Sequence, residues 1–175
     1  MSDTQKLILK NVRFDWVQVF APVAFDAESD PKYSICVILP KTHPQVKELQ
    51  EASLRIAKTQ HSKVPVGSLK LPLRDGDEDR EGVHYKGMYF FNASATTKFP
   101  PTVIDGAKNK VDVSVWNSGD YGNISIELYA FEKRGNKGTA AGINAVQFVR
   151  KGEPLGQRDH AEDFTVESID IETGE

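Results

Sequence analysis

The run YGNISIELYAF, residues 121–131, constrains the fold more than any other stretch of this chain. Period-two alternation places Ile124, Ile126, Leu128 and Ala130 on one side and Tyr121, Asn123, Ser125, Glu127, Tyr129 and Phe131 on the other. That pattern suits a half-buried strand, so the aliphatic side belongs to a core. The residues that follow, EKRGNKGTAAG, hold Gly135, Gly138, Gly142 and Asn136 and lead into a second β-type run, INAVQFV. A hairpin is predicted, with strands over 121–131 and about 141–150 and positive φ at the glycines and Asn136. The G-N-K-G-T within it does not have the spacing of a phosphate-cradling Walker loop, and no helix follows it. It is a turn that carries charge.

The rest of the chain repeats the β signal. KLILKNVRFDW, KYSICVILP, MYFFNASA, KVDVSVW, NISIELYAF and INAVQFV are short, rich in β-branched and aromatic residues, and mostly bounded by Pro, Gly, Asn or Asp. One helix is predicted over about 44–59, where Val46, Leu49, Ile56 and Ala57 follow helical spacing and Thr42 with Gln45 resembles a capping box. It covers one end of the sheet structure. Residues 61–84 form a long connection punctuated by Pro65, Gly67, Pro72, Gly76 and Gly82. With 175 residues the chain fits one domain with a tail.

The outward side of 121–131 carries three aromatics and leads to Lys133, Arg134 and Lys137. Aromatics that stack bases, interleaved with cations that track phosphates, are what a single-stranded nucleic-acid groove requires. A second packed layer uses the same aromatic face. Other segments repeat the combination: Lys32 with Tyr33, Tyr85 and Lys86 with Tyr89 and Phe91, Lys98 with Phe99. Phe14, Phe90 and Phe148 are assigned to the core, whereas Trp16 and Trp116 suit either purpose. The candidate phosphate contacts are Arg74, Lys86, Lys98, Lys133, Arg134 and Lys137. The candidate stacking residues are Tyr89, Phe91, Trp116, Tyr121, Tyr129 and Phe131.

Charge is unevenly spread. Residues 159–175 hold seven acidic side chains and no Lys or Arg, so that 22 basic residues face 18 acidic ones over 1–158, a net +4. Such a block is an interaction tail or a solubilising one, and its composition predicts disorder. Within it Asp159, Glu162, Asp163, Glu167 and Asp170 carry charge and Phe164 offers an aromatic anchor.

Catalytic and metal chemistry find little support. DGDEDREG, residues 75–82, fails as a calcium loop because Arg80 and Lys86 stand where Gly and Glu are required, and it reads as a solvated loop. A two-metal nuclease drawing on Asp105 or Asp112 has no supporting spacing. The four histidines, His43, His61, His84 and His160, have no ligand partner at metal spacing. The single cysteine, Cys36, lies in an apolar run and reads as a buried thiol. No cofactor and no catalytic residue are predicted. With no apolar window long enough to span a bilayer, a cytoplasmic location is expected.

The series LRDGDED, YKGMYFFNASA, PPTVIDG, SGDYGNISIELYAF, GNKGTAAGINAVQFV and KGEPLG, in that order, resembles a family of bacteriophage single-stranded DNA-binding proteins. The likeness runs from about Leu7 to Gly156. It implies an OB-fold-like five-stranded Greek-key barrel, here with one covering helix and extra hairpins, that binds DNA across one face. It further implies a DNA-binding domain over 1–156 and an acidic tail over 157–175 that competes with DNA and recruits replication or recombination proteins. In that setting the location is the host bacterial cytoplasm. The chain ends ETGE, without the terminal aromatic that some related tails use. A protein-interaction module of a replication complex and a metal-dependent nuclease are the alternatives.

Overall fold

The computed structural model describes residues 4–24, 26–80, 82–111 and 115–155. In chain order the elements are β1 (Thr4–Val23), β2 (Lys32–Pro40), helix α1 (Val46–Gln60), β3 (Arg74–Asp75), the one-turn helix α2 (Gly76–Asp79), β4 (Met88–Thr96), β5 (Thr102–Asp105), β6 (Tyr121–Lys133) and β7 (Asn136–Arg150). β1 pairs antiparallel with β2 and with β6, β2 pairs with β4, and β6 with β7. A short parallel pairing of β4 with β7, Ala93 to Ala141 and Ser94 to Gly142, closes the circuit. Five strands thus form a closed barrel of the OB type, with β3 added beside β4 and β5 beside β7. No helix among the described residues is long and apolar enough to cross a membrane.

Alternation fills the barrel. Leu7, Leu9 and Phe14 of β1, Ile35, Val37 and Leu39 of β2, Ile124, Ile126 and Leu128 of β6, and Phe148 of β7 share one buried cluster. Phe14 meets the Phe148 ring edge-on at 5.4 Å. The predicted helix forms and lays Val46, Leu49, Ala52 and Ile56 into the same core, covering one end of the barrel. The Thr139 hydroxyl of β7 donates to the Ser53 carbonyl of α1 at 2.6 Å, which ties the plug to the wall.

Several local expectations are corrected. Gln45 stands at the α1 N-cap but makes no capping bond. Its amide instead serves β1: Lys10 N–H donates to Gln45 Oε1 at 2.9 Å, and Gln45 Nε2 donates to the Ile8 carbonyl at 2.7 Å. His43 Nε2 joins the Lys10 carbonyl at 2.6 Å. This part of β1 pairs with β6 along one edge, and β2 joins β1 only from Arg13 onward, so the other edge needs these side chains. Bonding the exposed strand edge outweighs capping the helix.

The hairpin is tighter than the glycine pattern suggests. Lys133 pairs with Asn136, and the two residues between them, Arg134 and Gly135, take φ of 52° and 83°. That is a type I′ turn, whose twist matches the flanking strands. Asn136 and Gly138 belong to β7. Gly138 is needed for a different reason: a Cβ there would lie 1.8 Å from the Lys70 carbonyl oxygen, because the 61–73 connection bridges to β7 at this point. The run KVDVSVW forms no named strand among its described residues; Lys110 makes one bridge to Ile104, and 112–114 lie outside the described residues. TVID, 102–105, is a strand in its place.

Candidate nucleic-acid interface

The side chains of β2 and β4 that point away from the barrel interior are Lys32, Ser34, Cys36 and Ile38, opposite Thr96, Ser94, Asn92 and Phe90. One end of this outer face is roofed. Cys36, Ile38 and Phe90 form a second buried cluster with Tyr85, which arrives from the segment containing α2 and a single turn of tight helix at Val83–Tyr85. Tyr85 OH donates to Asp15 Oδ2 at 2.6 Å, and Asp15 itself is 4% exposed. Burial, then the bond to Asp15, pushes the Tyr85 phenol up from its ordinary range. Burial also pushes the Cys36 thiol up to about 11, which keeps it protonated and inert near neutrality.

The acidic run anchors this roof and is not a free solvated loop. Lys41 Nζ lies 2.8 Å from Asp75 and 2.7 Å from Asp77, and Asp75 also caps α2 by accepting the Asp77 amide at 2.9 Å. Hydrogen bonding to Lys41 holds both carboxyls below their ordinary range. Arg80 lies over the Phe90 ring at 4.8 Å. Among the described residues no group of three or more His, Cys, Asp or Glu is placed to hold a metal ion.

The other end of the same face is open. Three adjoining concavities meet at Ser94. Their floor is small and polar: Ser34 of β2, Asn92 and Ser94 of β4, Ala140 and Gly142 of β7. The first, about 470 Å³, is flanked by Phe131, Lys70 and Arg74. The second, about 710 Å³, runs between Lys133 of the hairpin and the 24–30 loop, with Gln18 and Lys32 on its wall and Glu28 and Asp30 on its rim. The third takes in Tyr129, Phe99 and Lys32. Tyr129 is 37% exposed and Phe99 71%. The loop is stiffened by Asp26, whose Oδ1 accepts from the Ser29 hydroxyl and from the Glu28 and Ser29 amides, and these bonds hold its carboxyl below the ordinary range.

Six of the twelve sequence candidates gather around this groove. Arg74, Tyr129, Phe131 and Lys133 line it, Lys98 lies beside Phe99 at 5.7 Å from the ring, and Arg134 sits at the hairpin tip. Arg74 also meets Asp79 at 3.6 Å. Lys137 follows in β7, its ammonium 3.7 Å from Glu132.

The structure places the others outside this groove. Phe91 is 0% exposed inside the barrel and offers no ring face to a base. Tyr89 packs against the core with Lys41 5.4 Å from its centroid, and Lys86 lies on the roof segment near Asp77. Trp116 is stacked on Phe148 at 5.3 Å with Lys151 also at 5.3 Å, and Tyr121 lies beneath Arg150 at 3.9 Å. Asp159, Glu162, Asp163, Phe164, Glu167 and Asp170 lie outside the described residues, as does Asp112.

The structure adds Lys32 and Lys70 to the cations and Ser34, Asn92 and Ser94 to the floor. Alternation along KYSICVIL already places Lys32 and Ser34 on the side of β2 away from Ile35, Val37 and Leu39. Lys70 has no signal in the sequence. It reaches the groove only because its backbone is bonded between the Lys137 carbonyl and the Thr139 amide. A floor without bulk, two aromatic side chains on one wall and cations along its length let a flexible polyanion lie close to the backbone with its bases against rings.

A family model described as Enterobacter phage Enc34, ssDNA-binding protein, matches residues 5–173. Putative protein p50 of Acyrthosiphon pisum secondary endosymbiont phage 1 is 29% identical over 161 residues, covering 85% of each chain. Among solved structures, the single-stranded DNA-binding protein from bacteriophage Enc34 in complex with ssDNA superposes with a TM-score of 0.74 at 23% identity, over 86% of this chain and 89% of that one. The bacteriophage T7 single-stranded DNA-binding protein gp2.5 superposes with a TM-score of 0.60 at 15% identity, over 94% and 97%. At these identities the superpositions show a shared fold.

Proposed function

The chain belongs to the Enc34 phage single-stranded DNA-binding protein family, and on that premise we propose that it coats single-stranded DNA in the replication, recombination or repair of a phage genome, without strong sequence preference. The observation that carries this reading is the open half of the β2–β4 face, a floor of Ser34, Asn92, Ser94, Ala140 and Gly142 walled by Tyr129 and Phe131. Bases stack on Tyr129 and Phe131, and phosphates meet Lys32, Lys70, Arg74, Lys98 and Lys133. Stacking is tolerant of base identity because every base has a π face. The protein acts by binding and not by catalysis, in the cytoplasm of the host. The acidic block over 157–175 competes for the cationic groove until DNA displaces it, which frees it for a replication or recombination protein.

The test is an anisotropy titration of labelled oligo(dT), with and without magnesium, with strand integrity checked on a gel. Binding without cleavage, and weaker binding to duplex, is expected. No binding, or magnesium-dependent cleavage, overturns the reading. A second arm compares the chain truncated after Arg158: it binds more tightly, most at low salt, because salt screens the tail's competition.

A further inference from the structure

On the β1 side the groove ends at Gln18, whose Oε1 accepts from the Ser34 hydroxyl of its floor at 2.9 Å. Two residues upstream stands Trp16, at the irregularity in β1 between Asp15, which pairs with Cys36, and Gln18, which pairs with Ser34. Trp16 therefore occupies the boundary between the roofed half and the open half of the same face. Its indole is 58% exposed and joins neither buried cluster. Its φ is 48°.

A bulky side chain in the left-handed region is rare and costs energy that glycine would avoid. Of the other described non-glycine residues with positive φ, Asn11 is a type that tolerates it, Arg134 belongs to a two-residue hairpin turn, and Lys108 lies in a turn closed by its amide donating to the Asp105 carbonyl. Trp16 has none of these excuses. The conformation is held by the neighbouring Asp15, itself bonded to Tyr85, and by Ser118 from a distant segment. Asp15 Oδ1 accepts the Trp16 amide at 2.8 Å while Oδ2 is bonded to Tyr85, and the next amide, Val17, donates to the Ser118 hydroxyl at 3.1 Å. A buried carboxylate and a hydroxyl thus satisfy the amides at the bulge. The other tryptophan, Trp116, lies against Phe148, as a packing residue does.

From a strained backbone held by the buried Asp15–Tyr85 pair and an exposed Trp16 two residues from Gln18 at the end of the groove, we infer that Trp16 is a base-stacking platform that carries the bound strand over β1, beyond Tyr129 and Phe131. This rests on the single-strand reading above and extends its path. It also assigns the Asp15–Tyr85 pair a role: these residues position the platform and do not touch DNA.

The chain has two tryptophans, so Trp116→Phe leaves Trp16 as the only indole reporter. Oligo(dT) is titrated into this variant while indole emission and the anisotropy of a label on the DNA are read together. Emission is expected to quench in step with anisotropy. Trp16→Ala weakens binding about 5- to 150-fold, the loss of one stacking platform. Trp16→Gly loses as much affinity yet melts above Trp16→Ala, because glycine relaxes the positive φ. A purely structural tryptophan moves affinity and melting together.

If Trp116→Phe does not fold, the difference in quenching between the wild type and Trp16→Phe reports the same contact. Full binding by anisotropy with unchanged Trp16 emission and unchanged affinity in Trp16→Ala overturns the inference and leaves the coating function standing; the exposed indole then serves a protein partner. No anisotropy change with folded wild type overturns both.

Discussion

Along the outer face of β2 and β4, the same two strands support opposite surfaces. At one end Cys36, Ile38 and Phe90 lie under Tyr85, with Lys41 clamping the roof through Asp75 and Asp77. At the other, Lys32, Ser34, Asn92 and Ser94 stand open beneath Tyr129 and Phe131. Strand pairing is continuous across both, from Pro40–Met88 to Lys32–Thr96. Backbone geometry therefore does not separate them. What differs is the side-chain volume on the outward positions and whether the connection before β4 folds back over them. Large apolar groups require a roof, because unroofed they would leave an apolar patch in water; small polar groups need none and stay available to a ligand.

Three experiments press on this division. The largest effect belongs to the roofed half: Phe90→Ala removes a ring that is 0% exposed and is expected to cost about 3–5 kcal/mol of stability by urea unfolding, with DNA affinity of the folded fraction unchanged. If affinity falls as steeply as stability, the halves are not independent. Next is Tyr129→Ala in the open half, expected to weaken oligo(dT) binding by about 1–3 kcal/mol while melting stays near that of the wild type. An unchanged affinity would move the stacking wall elsewhere.

The smallest effect is on the clamp. Asp75 and Asp77 have depressed carboxyl pKa values, so their contribution is present above the ordinary 3.8 and is lost as pH falls through the lower folded values. Lys41→Ala should therefore melt slightly below the wild type at neutral pH, with the gap closing in acid. A gap independent of pH would mean that the roof is held by packing alone.

The parts of the fold legible in the sequence were those decided locally. The alternation in 121–131 predicts Ile124, Ile126, Leu128 and Ala130 on the core side of β6; the first three are buried, and Ala130 packs half-buried against the core. The helix announces itself by spacing. The aromatic wall follows from the same alternation, since the side of β6 opposite the core carries Tyr129 and Phe131. What was not legible depends on pairings between distant segments. TVID is four residues long and becomes a strand only by lying parallel to β7, and Lys70 reaches the groove only through its bridge to Gly138. Phe91 misleads for a related reason. In β4 the adjacent rings of Phe90 and Phe91 point to opposite faces, and both are buried because one face is barrel interior and the other is roofed. Where β4 is buried on both sides it has no outward aromatic to offer, and its sequence does not say so.

The side chains of His43 and Gln45 along β1 bear on how copies of this protein live beside one another. Proteins that line up on a common strand are held at high local concentration, where any unpaired sheet edge invites a neighbour to add its own strand. Here the Ile8 carbonyl and both backbone groups of Lys10 are already occupied by an amide and an imidazole. The edge presents bonded groups instead of a template, so crowding on DNA brings barrel surfaces together without fusing their sheets.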